Sequence, residues 1–201
     1  FAFTKSTQNF SDLPVVAPTG YTLEVKGDDT TGFDNYYVKF EPSGSTDFSE
    51  GNWVETVKPG IKVGLDASTM PHILVRESNG NFTFKKATWG ERTVGDEDTA
   101  PDPSFIGSKI RDIFFHKNRL GMLHGENYVL SKVSDFFDFF PSTVTTILDS
   151  DVIDAAVSQT SVETLNFGIP YQDSVLLFSE TTQYILKGGD VLSIETVSAN
   201  P

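Results

Sequence analysis

Ile110–Pro141, IRDIFFHKNRLGMLHGENYVLSKVSDFFDFFP, packs apolar, turn-forming and aromatic residues more densely than any other stretch of the chain. Ile110, Ile113, Phe114 and Phe115 form one short apolar run. Leu120, Met122 and Leu123 form a second, and Tyr128, Val129 and Leu130 a third. Between them lie His116-Lys117-Asn118-Arg119 and Gly125-Glu126-Asn127, which contain residues that tolerate turn dihedrals. Runs this short, separated by turns this close, predict a meander of antiparallel strands and not helices. The stretch closes on Phe136-Phe137-Asp138-Phe139-Phe140. Four phenylalanines so close together would be an aggregation hazard on a surface, so Phe136, Phe137, Phe139 and Phe140 are expected in a core or a subunit interface.

The composition agrees with a strand-rich chain. Among 201 residues there are 17 Phe, 16 Gly and 10 Pro but 2 Met, a balance that favours strands and turns. At 38 % hydrophobic and 21 % charged residues, the chain can bury a core. The expected class is all-β. The absence of cysteine excludes disulfides and thiolate metal sites. No apolar run approaches the roughly 18 residues that would span a bilayer. The first residue is Phe1, and no basic-then-apolar leader follows it, so the chain is expected to be a fragment of a longer protein.

Moving outward, the residues upstream read as a first β unit, 1–89. Alternation at Tyr21–Lys26 predicts a half-buried strand, followed by strands at Asp34–Phe40 and Trp53–Val57. Lys58-Pro59-Gly60 has proline and glycine where a type II turn needs them. Ile73–Arg76 and Phe82–Lys86 flank Asn79-Gly80, a strong hairpin signal. Five or six short strands of this kind suggest a small barrel or sandwich. Residues 90–104 carry Glu91, Asp96, Glu97, Asp98 and Asp102 with Pro101 and Pro103, and read as an exposed acidic linker. Residues 105–201 read as a second unit with two successive clusters of three or four strands. Asp149–Val157 fits a strand or a short helix. Thr160-Ser161-Val162-Glu163 fits a capping box that would start one short helix, stopped by Gly168 and Pro170. Further strands are expected at Asp173–Ser179, Gln183–Lys187 and Leu192–Val197. Each cluster is roughly 40 residues, the size of a propeller blade.

The net charge is −13, split as −7 over residues 1–105 (9 basic, 16 acidic) and −6 over residues 106–201 (6 basic, 12 acidic). Acidity spread this evenly offers no grip on a phosphate backbone.

The ordered series I-R-D-I-F-F-x-x-N-R-L-G, G-E-N, L-S and D-F-F-D-F-F-P resembles the tail tubular protein B family, the nozzle proteins of short-tailed bacteriophages. The likeness continues upstream through Tyr36-Tyr37-Val38, Trp53-Val54-Glu55, Thr69-Met70-Pro71-His72 and Gly95-Asp96-Glu97-Asp98-Thr99. Downstream it takes in Asp149-Ser150-Asp151 and Leu176-Leu177-Phe178-Ser179. The resemblance implies a structural virion protein of the tail. In it, a ring of six copies would meet a portal-side adaptor and tail fibres and form the conduit for DNA ejection, without cofactor or enzymatic activity. It also implies a propeller-like body, with about two blades in this chain, interrupted by an inserted β domain.

Several side chains are of types that carry chemistry. His116 and His124 flank one predicted hairpin and could approach each other. With His72, they lack the helical spacing or thiolate companion of a zinc site. Asp149, Asp151 and Asp154 begin like a calcium loop, but Asp154 stands where glycine is needed and Thr160 where glutamate is. Asp96, Glu97 and Asp98 resemble a paired-acid site, yet their polar setting favours solvated carboxylates over one with a raised pKa. No nucleophile elbow or phosphate-cradling loop is present. An alternative of another class is a host-surface carbohydrate-binding module with Tyr36, Tyr37 and Trp53 as a stacking platform. The period of two places Tyr36 and Tyr37 on opposite faces, so one of them is expected to be exposed.

Overall fold

The structure, a computed structural model, describes residues 4–27, 35–46, 48–158 and 163–201. Apart from one 3-10 turn at Phe10–Asp12, the regular elements among them are strands: β1 (Ser6–Thr7), β2 (Thr22–Val25), β3 (Tyr36–Pro42), β4 (Gly51–Thr56), β5 (His72–Arg76), β6 (Phe82–Lys86), β7 (Asp112–His116), β8 (Arg119–His124), β9 (Asn127–Leu130), β10 (Ile153–Ala156), β11 (Phe167–Tyr171), β12 (Ser174–Phe178), β13 (Gln183–Lys187) and β14 (Ser198–Asn200). The class is all-β. Two compact units divide the chain. One comprises Phe1–Val63, Arg92–Pro101 and Pro141–Ile147; the other comprises Gly64–Glu91, Asp102–Phe140 and Leu148–Pro201.

The first unit is built on one four-stranded sheet in the order β1-β2-β3-β4, antiparallel except for the β1–β2 pair. It is an open sheet, and none of the described sheets closes into the barrel that the strand count suggested. Leu23, Val25 and Val38 form its core, covered by Leu13, Tyr21, Tyr36 and Trp53. The Lys58-Pro59-Gly60 turn is present, with Gly60 at φ +88°, a conformation open to glycine without strain.

The acidic stretch does not behave as an exposed linker. Arg92, Val94, Asp96 and Ala100 are all buried. Arg92 reaches backbone carbonyls through its side chain, Nε to Ala100 at 2.6 Å and Nη1 to Lys62 at 2.5 Å. Its polar composition therefore serves hydrogen bonding inside the unit, because a buried guanidinium must find acceptors. Residues 141–147 join the same unit through Glu55, whose carboxylate accepts from Thr143 Oγ1 at 2.6 Å and from the Val144 amide at 2.8 Å.

The second unit holds the two-stranded β5–β6 hairpin and two four-stranded sheets, β7–β10 and β11–β14. Each four-stranded sheet is an antiparallel meander in chain order. Residues 64–91 belong here and not with the first sheet. The reason is apolar: Met70, Ala87 and Trp89 bury with Phe105, Leu120, Met122, Val129 and Phe139. This cluster covers one face of the β7–β10 sheet. Its other face presents Phe114, Leu123, Tyr128, Leu130 and Ile153 to Val175, Leu177, Tyr184, Leu186 and Ala199 of the β11–β14 sheet. With both faces covered, all six residues of β8 are buried. Phe114 is keyed into this contact, because a Cβ on Gly121 (β8) or Gly168 (β11) would overlap its ring.

Other expectations shift in this unit. Residues 149–157 resolve into a strand, β10. The predicted helix start falls on 160–162, outside the described residues; Glu163–Asn166 has no regular structure and β11 begins at Phe167. Pro170 does not stop a helix but sits in β11, which is an edge strand and so has no donor to lose on its open side. Leu192–Val197 is a turn and not a strand. There the Thr196 hydroxyl donates to the Val191 carbonyl at 2.6 Å and accepts from the Ser193 amide at 3.0 Å, local bonds that compete with a ladder.

Candidate functional site

Two polar networks, one buried and one half-buried, organise the second unit. Arg119 opens β8, directly after the turn made by Lys117 and Asn118 at positive φ. Its side chain is fully buried. Nη1 donates to the carbonyls of Ser131 (2.7 Å) and Asp151 (2.5 Å), and Nη2 to those of Asp149 (2.5 Å) and Leu192 (3.1 Å). Burial pushes its pKa down, and the charges of Asp151 and Asp149 oppose that shift. Four carbonyls from three chain segments thus converge on one cation, and two of them belong to the supposed calcium loop. The Asp154 carboxylate turns elsewhere, to Ser104 (Oγ to Oδ1, 2.5 Å; N to Oδ2, 2.8 Å). The carbonyls of Asp149 and Asp151 thus serve Arg119, and the Asp154 carboxylate serves Ser104.

The second network brings Ser104, His124, Asn127 and Asp154 together. Ser104 Oγ lies 2.8 Å from His124 Nε2 and 3.3 Å from Asn127 Nδ2. A serine, a histidine and an aspartate in contact invite comparison with a nucleophilic triad, but the roles are wired differently. Ser104 has one proton and gives it to Asp154. With the serine proton on that bond, the contact to His124 Nε2 calls for the tautomer protonated there, which is not the one that serves as base toward a serine. Burial pushes the His124 pKa down, against the charge of Asp154, which favours this neutral form. The network pins the loop before Phe105 to the ends of β8 and β10. Sequence spacing gave no sign of it, because Ser104 and Asp154 are 50 residues apart.

The remaining candidates take structural positions. His116 and His124 do not approach each other. His116 pairs with Arg119 at one end of the β7–β8 ladder and His124 lies past its other end, roughly 17 Å along the strand at ~3.4 Å per residue. Burial and Lys117 push the His116 pKa down, opposed by Asp173. His72 stacks on Phe84 with centroids 5.2 Å apart. Asp96 is buried, not solvated. Burial pushes its pKa up, but hydrogen bonds from the Thr99 and Asp98 amides and the Thr99 hydroxyl, with Lys58 nearby, hold it below the usual value. That is the reverse of what an acid catalyst needs. Glu97 and Asp98 are exposed. The Glu163 carboxylate accepts from Ser179, Thr181 (2.6 Å) and Thr182 (2.8 Å), fastening the β12–β13 turn.

Tyr36, Tyr37 and Trp53 do not form a platform. Tyr36 and Trp53 are half-buried in the core cluster of the first sheet, and the Trp53 indole donates to the Pro14 carbonyl at 2.8 Å. Tyr37 points to the opposite face, as its period requires, but is buried: Lys58 lies over its ring, 5.7 Å from the centroid. Neither tyrosine is exposed, because Tyr36 packs against the core cluster and Lys58 lies over Tyr37.

The phenylalanine run splits. Phe139 and Phe140 are buried, and Phe137 is half-buried edge-on to Trp89. Phe136 is 37 % exposed and meets Phe115, 61 % exposed, edge-on at 5.4 Å. Exposed apolar side chains also gather on the outer face of β11–β14 (Phe167, Ile169, Tyr171 and Ile185) and on the β5–β6 hairpin (Leu74, Phe82 and Phe84). Exposed apolar patches of this kind mark candidate interaction surfaces.

A family model described as bacteriophage nozzle protein matches residues 1–201. The chain belongs to the bacteriophage nozzle protein family. The tail tubular protein gp12 of Escherichia phage T7 is 38 % identical over 197 residues, which cover 98 % of this chain and 24 % of that protein. The chain therefore spans about a quarter of the length of this tail tubular protein. The family is the one its sequence resembles. Among the described residues no helix is long and apolar enough to cross a membrane.

Proposed function

We propose that this chain is a section of a phage tail nozzle, a structural virion protein that assembles with copies of itself and walls the conduit through which DNA leaves the particle. The observation that carries this proposal is the match of the nozzle family along all of residues 1–201, supported by the similarity to a tail tubular protein. Six copies would form the ring, meeting a portal-side adaptor above and tail fibres at the side. The two meanders would be two blades of a propeller-like body, and the first unit the inserted domain. The net charge of −13 suits a wall that repels passing phosphates. Within this assembly Phe139 and Phe140 serve the fold, while Phe136 and Phe115 stand where a neighbouring copy can cover them.

Immunogold microscopy of purified phage with antibody against this chain tests the proposal. Gold confined to the tail is expected. Bare particles beside a reactive lysate would place the protein outside the virion and refute it.

A further inference from the structure

The β5–β6 hairpin is built the wrong way round for a solvent-facing ribbon. Its ladder pairs His72 with Lys86, Leu74 with Phe84 and Arg76 with Phe82 on one face, and Ile73 with Lys85 and Val75 with Thr83 on the other. Ile73 anchors that second face to the core of its unit. The first face looks outward, with Leu74 at 63 %, Phe82 at 62 % and Phe84 at 70 % exposure. Three apolar side chains thus stand among Arg76, Lys86 and His72, with no acid among the six residues of the face. A two-stranded ribbon is marginally stable alone, and one with a greasy outer face gains most from being covered.

Charge identifies what covers it. Residues 72–86 hold three basic side chains (Arg76, Lys85 and Lys86) against Glu77, a net +2; with −13 in total, the rest of the chain carries −15. From this we infer that the outward hairpin face docks on the acidic surface of a second copy of the protein, an inference that rests on the self-assembly proposed above. Two hairpin faces would not mate with each other, since Arg76 and Lys86 would meet their own kind. The contact is therefore heterologous, face to different face, and a heterologous contact closes into a ring when its rotation permits. DNA is the poorer partner for this basic, aromatic face: a few cations cannot offset the repulsion of so acidic a chain.

The test uses the full-length protein in assembling phage, with a photoreactive phenylalanine at Phe84 in one arm and the pair R76E/K86E in another. Irradiation should give a dimer-sized product whose cross-linked peptides come from two copies. The charge-reversal pair should lower the assembled fraction about tenfold at low salt, with unchanged thermal unfolding of the unassembled protein. Cross-links only within one chain, only to DNA or only to another tail protein overturn the inference, as does full assembly of the charge-reversal pair. Antibody labelling of the same particles separates the two levels. A protein missing from tails defeats the nozzle proposal and the inference with it; one present in tails without copy-to-copy cross-links at Phe84 defeats the inference alone.

Discussion

The β7–β10 sheet and the β5–β6 hairpin are made of the same kind of sequence and meet opposite fates. Both are short antiparallel ribbons rich in phenylalanine, leucine and valine. In the sheet, β8 is buried along its whole length, between the cluster around Trp89 and the β11–β14 meander. In the hairpin, every residue of β6 is exposed. Strand formation is a local matter of alternation and turns. Burial depends on which distant segments arrive to cover a face, and an apolar face that none of the described residues covers is a candidate for assembly.

The sharpest way to break this contrast is at the buried cation. Replacing Arg119 with methionine leaves four inward carbonyls without their donor and should destabilise the protein by about 3–5 kcal/mol, read as a lowered urea midpoint. A midpoint near wild type would show that the network is dispensable. Phe139→Ala should open a cavity beside Trp89 and Phe105 and destabilise by a similar amount, about 3–5 kcal/mol, in the same experiment. Gly121→Ala drives a methyl into the Phe114 ring and should destabilise by about 1–3 kcal/mol.

Acid gives a smaller effect with a defined sign. Burial holds the folded pKa values of His116 and His124 below the ordinary 6.5. Above that pH both are neutral whether the chain is folded or not. As pH falls below it, the unfolded chain takes up protons first, so stability is lost until the folded pKa values are passed. Urea midpoints should therefore decline from pH 7 toward 5, and the decline should shrink in a His116→Gln/His124→Gln protein. A decline of the same size in that variant would assign it to other groups. At the exposed end of the scale, Phe84→Ala should leave stability within about 0.5 kcal/mol of wild type. A loss on the scale of Phe139→Ala would mean that the hairpin is held by its outward face.

The strands were legible where alternation and turn chemistry coincided: at Tyr36–Phe40, at the hairpin around Asn79-Gly80 and along the Ile110–Leu130 meander. The failures have physical causes. The acidic stretch looked like a linker because sequence cannot show that Arg92 will find carbonyls or that Asp96 will cap a turn. Residues 64–91 were grouped with the strands before them because Trp89 meets its partners Phe137 and Phe139 nearly 50 residues later. Spacing alone does not say which phenylalanines of the run serve the core: Phe139 and Phe140 are buried, whereas Phe136 turns to the surface with Phe115. The partners of Arg119 and the Ser104–His124–Asp154 network are illegible in the sequence, because side chains this far apart carry no local signature.

Hydrogen exchange on the full-length protein, free and then within purified virions, tests the contrast most directly. Amides of β8 should exchange slowly in both states, and those of Phe82–Lys86 should exchange quickly in the free protein and become protected in the particle. Exchange in the hairpin that stays as fast in the virion as in the free protein would contradict the account.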